Sequence, residues 1–419
     1  MTFRAGAAFR KYLLIRRRAD PWLFSLAVAT TLIWDIVSVS LFAYFAGTGI
    51  YLAIFRPKTL RIIDPRYGLA ALVFAAGALA IHLLNGSLPE DGRYASYPLY
   101  PAMMLPILPG MFLIRDPLRQ LVIGARLAVI VLAVWAVIAV SGGAGRYGFG
   151  LTASNAAFSI TFLAIVSRLE VKNAPRWLGN RTVWFYLALI AVLATGTRAV
   201  LPVFVLAAGF DLARGFDRQN PSGLRRGRIA ATAAAILLAA VAAAWLLAPS
   251  IEKRLTDTAT EIDALSREPD PSGGGLPVRI LLWRAAGAVI ADHPLTGTGG
   301  QATIAELNAH LPNAHRELLS QLSFSHNFIL DEWMQRGIFG VILMLGFYGC
   351  GFARVSRFGT PDIRENAILV AALMLAFGAL HYLLLVDRHV ALAALYLLIL
   401  TAANRGFHPP YRHAVTGGR

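Results

Sequence analysis

Apolar runs of about 15 to 20 residues recur along the whole chain, and short segments rich in arginine and lysine separate them. A helix needs about 20 apolar residues to cross the hydrocarbon core of a bilayer, with about 17 at the lower end. The pattern therefore predicts an all-α polytopic membrane protein with about twelve transmembrane helices. They are expected near residues 22–38, 39–55, 68–85, 98–114, 121–141, 151–167, 182–195, 199–213, 229–248, 338–353, 366–384 and 389–403.

The first two predicted helices depend on one polar residue. Asp35 interrupts an apolar stretch of 34 residues that runs from 22 to 55. Two short helices fit this stretch. A single long helix is the alternative, and it would invert the orientation of every later helix.

Positive charge is distributed unequally between the two sets of predicted loops. With an inside amino terminus, the predicted cytoplasmic segments hold 27 of the 39 Lys and Arg residues, and the outer loops hold 11. Because short cytoplasmic loops retain Lys and Arg, this distribution favours twelve helices with both termini in the cytoplasm. The predicted cytoplasmic segments are 1–21, 56–67, 115–120, 168–181, 214–228, 354–364 and 404–419.

Composition supports a membrane protein and argues against a nucleic-acid-binding one. Hydrophobic residues make up 57% of the chain and charged residues 15%, whereas soluble domains carry about 25% charged residues. The formal net charge is +16. The basic clusters flank predicted helices, however, which is the distribution expected for membrane topology.

One predicted outer loop differs from the others. Residues 250–336 form a segment of 87 residues with 11 acidic and 7 basic side chains. Amphipathic patterns within it predict three helices, from 251 to 266, from 278 to 294 and from 301 to 311. The sequence therefore predicts a large helical loop between helices nine and ten, inserted in a single membrane-embedded domain spanning 1–419.

His326 stands just before the tenth predicted helix. If that helix starts near His326, then Leu330, Trp333, Gly337 and Gly340 follow on one face. Small residues let membrane helices approach closely, so the glycines would hold the imidazole at the outer rim of the bundle. The alternative is an ordinary histidine at the membrane interface.

Two arginines are expected on the same outer face. Arg198 lies in a turn between two short predicted helices, and Arg279 begins the second helix of the large loop. Arginine near a bilayer is costly unless it is paired or functional. The alternatives are contact with lipid phosphate for Arg198 and simple solvation for Arg279.

Asp387 and Arg388 form the predicted last outer turn, where an aspartate is commonly a helix cap. Asp35 receives no role.

Together the outer face is predicted to present a histidine, two arginines and an acid. Two guanidiniums can clamp a diphosphate with bidentate hydrogen bonds, and an imidazole can accept a proton from a hydroxyl. This combination suits transfer from a lipid diphosphate.

These motifs resemble the O-antigen ligases of the O-antigen ligase and polymerase superfamily. His326-Asn327, followed after nine residues by Gly337-Ile338-Phe339-Gly340, matches their H[NSQ]-x9-GxxG signature. TGTR ending at Arg198 is similar to a second family motif. RILLW, which begins at Arg279, and the later HPLTGTG are similar to a third.

The resemblance implies a GT-C-type glycosyltransferase in the bacterial inner membrane with a periplasmic active site. Such enzymes transfer O-antigen from undecaprenyl diphosphate to a sugar hydroxyl of lipid A core. It implies that His326 is the general base and that Arg198 and Arg279 bind the diphosphate, with no metal or cofactor. Asp387, Arg388 and Asn327 would support the site, and Gly337 and Gly340 would shape it. Direct displacement predicts inversion at the anomeric carbon.

Alternatives remain inside and outside this superfamily. An O-antigen polymerase or a protein O-oligosaccharyltransferase would use the same donor, although the intact histidine motif favours a ligase. A secondary transporter would need polar groups at the middle of the membrane and an internal repeat. The sequence shows no such repeat, and its distinctive residues cluster at one face.

Overall fold

A computed structural model of the chain describes residues 7–87, 92–143, 146–179, 181–216, 275–313, 316–319, 322 and 324–404. All regular structure in these residues is helical, which confirms the all-α prediction for them. The helices are α1 Ala7–Ala29, α2 Asp35–Phe55, α3 Pro65–Leu84, α4 Gly92–Ser96, α5 Tyr100–Met104, α6 Ile107–Gly110, α7 Pro117–Ser141, α8 Ala153–Ser167, α9 Arg181–Thr195, α10 Leu201–Phe216, α11 Gly275–Asp292, α12 Gly300–Ala309, α13 Arg316–Leu319, α14 Phe328–Phe358, α15 Pro361–Gly378 and α16 Asp387–Ala403.

Among the described residues, four helices are long and apolar enough to cross a membrane: α2, α3, α7 and α14. Three more, α8, α9 and the first part of α10, are apolar but shorter. The protein therefore has several apolar helices suited to a membrane. The predicted helix at 229–248 and the first predicted helix of the large loop lie outside the described residues. The other two predicted loop helices are present as α11 and α12.

The amino-terminal hairpin contains two helices, and the single long helix is excluded. α1 ends at Ala29 and α2 begins at Asp35, so the break lies a few residues earlier than the sequence suggested. Hydroxyl groups satisfy the carbonyl groups at this break. The Oγ1 of Thr31 donates to the carbonyl of Ala27 at 3.0 Å, and the Oγ of Ser38 donates to the same carbonyl at 2.9 Å.

The helix predicted at 98–114 is interrupted. The segment contains the short helices α5 and α6 with turns between them, because its prolines remove backbone donors and limit helical continuation. It packs directly on α2 through two glycines. A Cβ atom on Gly49 would clash with the carbonyl of Pro106, and one on Gly110 would clash with the carbonyl of Phe45.

Polar contacts join helix ends in two separate sets. At one end, Asp64 accepts from Arg354, and Arg168 binds both Asp211 and Glu365. These residues lie in or beside segments that the sequence placed in the cytoplasm, and this region is called the predicted inner end. The contacts of Asp35, Asn85 and the segments 294–299, 325–327 and 379–388 define the opposite, predicted outer end. Between them, α7, α8 and α16 form much of the buried apolar core.

Arg126 lies inside the bundle, on α7, and is 1% exposed. Its guanidinium donates to the backbone carbonyls of Ser167, Leu169 and Leu178, at 3.0, 2.9 and 2.6 Å. Buried polar groups need hydrogen-bond partners, and three carbonyls from the end of α8 and the α8–α9 connection supply them. Arg126 therefore ties α7 to this connection.

Candidate active site

His326 lies in a tight turn that precedes α14. Asn327 caps the helix, since its Oδ1 accepts from the backbone N–H groups of Ile329 and Leu330 at 3.1 and 3.2 Å. Ser325 is anchored on the other side, because its N–H and Oγ both donate to Oδ1 of Asp331, at 2.8 and 2.7 Å. His326 is thus held between two fixed neighbours.

The expected stripe from His326 along the helix is wrong. α14 begins at Phe328, and His326 has a φ of 59°, in the left-handed region that non-glycine residues rarely adopt. Since the Asn327 cap starts the helix two residues after the imidazole, His326 does not share a helical face with Gly337 or Gly340. Strained backbone of this kind is often found at functional sites.

The imidazole of His326 is largely enclosed. Its ring centroid lies 5.6 Å from that of Tyr382. Its Nδ1 is buried and has no hydrogen-bond partner among the described residues. Burial, together with the positive charge of Arg279, lowers the pKa of His326 to about 4. The ring is therefore neutral at physiological pH and has a free nitrogen.

Arg279 is brought to this site by α11. Its Nε donates to the carbonyl of Leu380 at 3.2 Å, and its charge acts on both His326 and His381. Asn327 contacts the same turn, because its Nδ2 lies 3.4 Å from the carbonyl of Ala379. Three segments that are distant in the sequence, around 279, 326 and 380, thus converge at the predicted outer end.

His381 and Arg146 are site residues that the sequence analysis missed. The His381 ring stacks on Phe377 with centroids 4.4 Å apart. Burial is the main cause that lowers the pKa of His381 to about 3, and Arg279, His326 and Arg146 add repulsion. These interactions place Arg146 in the same electrostatic cluster. Both residues belong to short connections without a recognisable motif.

Arg146 also joins the Arg198 turn to this cluster. Its Nε donates to the carbonyl of Thr195 at 2.9 Å, and the N–H of Tyr147 donates to the carbonyl of Ala194 at 3.0 Å. Arg198 follows three residues after Thr195 and is exposed between α9 and α10. The structure therefore fixes the turn that carries Arg198 against the loop of Arg146.

Asp387 and Arg388 have different surroundings. Arg388 pairs with Asp35 at the start of α2, so both of these outer-end residues have a partner. Asp387 is the first residue of α16, whose cap residue is Val386. The Oδ1 of Asp387 is buried without a hydrogen-bond partner in the described part of the chain. Among the described residues, the Oδ1 of Asp387 thus lacks the backbone hydrogen bond that a helix-capping oxygen would accept.

α14 is sharply kinked at Gly337, and the 294–299 turn packs against this kink. Its φ is 64° and its ψ is −168°, which interrupts the helical hydrogen bonds. Backbone hydrogen bonds between the 294–299 turn and the kinked segment, formed in both directions, replace the lost helical ones. The N–H groups of Thr298 and Gly299 donate to Met334 and Gln335 at 2.9 and 3.0 Å, and those of Ile338 and Phe339 donate to Pro294 and Leu295 at 2.9 and 3.4 Å.

Two motifs that resemble those of the family thus form one structural unit. The indole N–H of Trp333 reinforces it by donating to the carbonyl of Pro294 at 3.0 Å. Gly297, at a φ of 68°, lies against the backbone of Gln335, since an added Cβ would come within 2.5 Å of its carbonyl carbon. The turn positions α11, and with it Arg279, against the segment that carries His326.

Gly340 makes room for a buried ion pair. Arg336 donates to Glu332 from Nε at 2.7 Å and from Nη2 at 2.5 Å, and both side chains are 0% exposed. A Cβ on Gly340 would lie 2.8 Å from Oε1 of Glu332. The hydroxyl of Tyr97 also donates to Glu332, and Nη1 of Arg336 lies 2.9 Å from Nε2 of His82. This network fixes α14 to α3 beside the kink.

The family model described as O-antigen ligase matches residues 183–345. The match begins in α9 and ends in α14, and it includes Arg198, Arg279, His326, Gly337 and Gly340. It confirms the resemblance to the O-antigen ligase superfamily, which implies a glycosyltransferase-like enzyme of the O-antigen pathway. No curated protein matches the chain.

Proposed function

We propose that this protein is an O-antigen ligase that transfers O-antigen polysaccharide from undecaprenyl diphosphate to a sugar hydroxyl of lipid A core. The observation that carries the proposal is the convergence of His326, Arg279 and the 379–382 turn at one end of the bundle. The reaction would take place at the periplasmic face of the inner membrane, in a GT-C-type domain of about twelve helices with both termini in the cytoplasm.

His326 is the general base on the acceptor hydroxyl. A general base must be neutral before the reaction and must reach the proton that it removes. The low pKa keeps the ring neutral, and its Nδ1 has no competing partner among the described residues. The acceptor oxygen attacks the anomeric carbon while its proton passes to the imidazole. The bond from that carbon to the diphosphate oxygen breaks, and the configuration is inverted.

Arg279 and Arg198 bind the diphosphate and stabilise the charge that develops on it as the glycosidic bond breaks. Arg146 belongs to the same group by position, since it hydrogen-bonds to the turn that carries Arg198 and its charge acts on His381. Guanidinium groups suit this role because each can donate two parallel hydrogen bonds to a phosphate.

Donor binding also prepares the base. Repulsion from Arg279 is one cause of the low pKa of His326. A diphosphate bound to Arg279 neutralises that charge, so it raises the pKa of His326 and makes the imidazole a stronger base when the donor is present.

Asn327 fixes the turn that carries the histidine. Asp387 accepts a hydrogen bond from a hydroxyl of the donor or acceptor sugar, and its buried Oδ1, which has no partner among the described residues, supports this role.

The test is reconstitution of the full chain with undecaprenyl-diphosphate-linked glycan and lipid A core. A ligase consumes lipid A core and forms glycosylated lipid A core with inverted anomeric configuration. Lengthened glycan on undecaprenyl diphosphate, with the lipid A core unchanged, would assign the protein as a polymerase. Glycan on a pilin-type acceptor alone would assign it as a protein O-oligosaccharyltransferase.

A further inference from the structure

A polar cavity opens at the predicted inner end, opposite the candidate active site. Its volume is about 860 Å³, within the range of ligand-binding sites. Its walls come from α1, the start of α7, the connection after α8 and the end of α16. The same segments that the sequence assigned to the cytoplasmic side, 1–21, 115–120 and 168–181, therefore meet around one cavity.

The cavity has a strong excess of positive charge. Among the described lining residues, the cationic side chains are Arg17, Arg18, Arg115, Arg119 and Lys172, and the one acid is Asp116. Asp116 already caps α7, because its Oδ1 accepts from the backbone N–H of Arg119 at 3.0 Å. The positive amino-terminal end of a helix of 25 residues adds to this field.

Within the part of the chain that the structure describes, these cations lack the carboxylate partners that other arginines at this end possess. Arg168 and Arg354 each bind an acid from a different segment of the chain. In the described residues, none of the five cavity cations forms such a pair, and the Nε of Arg119 is buried without any hydrogen-bond partner. The positive-inside rule explains basic residues at this end, but it does not explain their convergence on one concave site with an unsatisfied donor.

The rest of the lining includes apolar side chains. Trp22, Leu113 and Ile399 are among them, and Trp22 is 61% exposed. Tryptophan is enriched at the boundary between lipid and water. The chemistry of the cavity is thus that of an amphipathic anion, with a charged head among the arginines and an apolar part along α1 and α16.

We propose that this cavity binds the phosphate headgroup of an anionic membrane phospholipid of the inner leaflet. Basic pockets between membrane helices on the cytoplasmic side suit such headgroups. The carboxy-terminal segment 405–419 lies close in sequence to the cavity residue Ala403, but it contains three arginines and no acid, so its charge does not complement the site. The site is separate from the proposed donor site, because the two lie at opposite ends of the bundle.

The purified full chain should be titrated with phosphatidylglycerol in mixed micelles, and the bound lipid should be measured by native mass spectrometry. The test variant is Arg119→Gln with Lys172→Gln. The matched control is Lys58→Gln with Arg61→Gln, which removes the same charge from exposed residues of the predicted inner end outside the cavity. Phosphatidylcholine and inorganic phosphate serve as the other two probes.

The cavity variant should bind phosphatidylglycerol about tenfold to thirtyfold more weakly than the native protein, since each basic residue contributes about 1 kcal/mol. The control should change by less than about threefold, and phosphatidylcholine should bind weakly. Equal losses of phosphatidylglycerol affinity in both variants would show diffuse attraction to surface charge and would overturn the proposal of a specific site. Full displacement by inorganic phosphate at low millimolar concentration would overturn the assignment to a lipid. Unchanged elution and circular dichroism of both variants establish that they are folded.

Discussion

Gly337 lies so close to Leu295 that a Cβ atom on Gly337 would clash with the carbonyl group of Leu295. Both its positive φ and this backbone contact require glycine. The contact joins the kinked helix of the histidine motif to the turn that follows α11. The relative position of His326 and Arg279 depends on this contact, although neither residue takes part in it.

Gly337→Ala should therefore destabilise the protein and reduce transfer. The strained backbone alone is expected to cost about 1–3 kcal/mol, and the clash adds to it. Thermal unfolding in detergent provides the measurement. Gly346→Ala is the control, because Gly346 lies on the same helix with open space around it. Equal unfolding midpoints for the two variants would contradict the proposed structural role of Gly337.

Removing one partner of the Arg336–Glu332 pair should be strongly destabilising. Arg336→Met leaves the Glu332 carboxylate buried without its cation, for an expected loss of about 3–5 kcal/mol. Replacing both residues by Met and Leu should restore part of the loss, because neither charge is then left unpaired. Denaturant unfolding of the single and double variants tests this. A single variant as stable as the native chain would show that the pair is not buried.

Arg388→Gln should change the stability and the transfer activity of the protein only slightly. Arg388 is partly exposed and pairs with Asp35, which is 52% exposed, and such surface pairs contribute about 0–1 kcal/mol. Transfer activity should remain within about fivefold of the native value, because a free-energy difference of less than 1 kcal/mol corresponds to a factor of less than about five. A loss of activity comparable to that of His326→Ala would instead place Arg388 in contact with substrate.

The pH dependence of transfer should reflect the low pKa of His326. A general base is active only when it is unprotonated, so activity falls as the pH falls through its pKa. Since burial and Arg279 lower that pKa to about 4, kcat/KM should stay constant from about pH 7 to about pH 5.5 and decline only below it. The profile of the reconstituted enzyme provides the test. A decline centred near pH 6.5, the ordinary value for histidine, would contradict this environment.

Part of the architecture followed from the sequence because hydropathy reports directly on burial. The helical class, the two helices around Asp35 and the helices α11 and α12 were all predicted. Hydropathy alone did not show that the segment 98–114 is interrupted, because an apolar proline counts as hydrophobic while it also removes a backbone donor. Prolines 98, 101, 106 and 109 were the available signal.

The site was predicted in part. The motifs identified His326 and Arg279, and the structure brings these two together. Periodicity wrongly extended the helix back to His326, because the cap at Asn327 and the left-handed turn leave no periodic signal. Arg146 and His381 were missed because long-range contacts alone connect them to the site.

The most direct test of the central proposal separates donor binding from chemistry. The affinity for undecaprenyl-diphosphate-linked glycan and the rate of transfer to lipid A core should be measured for Arg279→Lys and His326→Ala, with His310→Ala as a control outside the cluster. Arg279→Lys should weaken donor binding, because an ammonium group does not reproduce the bidentate guanidinium. His326→Ala should bind the donor like the native protein and transfer no glycan. Normal transfer by His326→Ala would contradict the proposed function of this site.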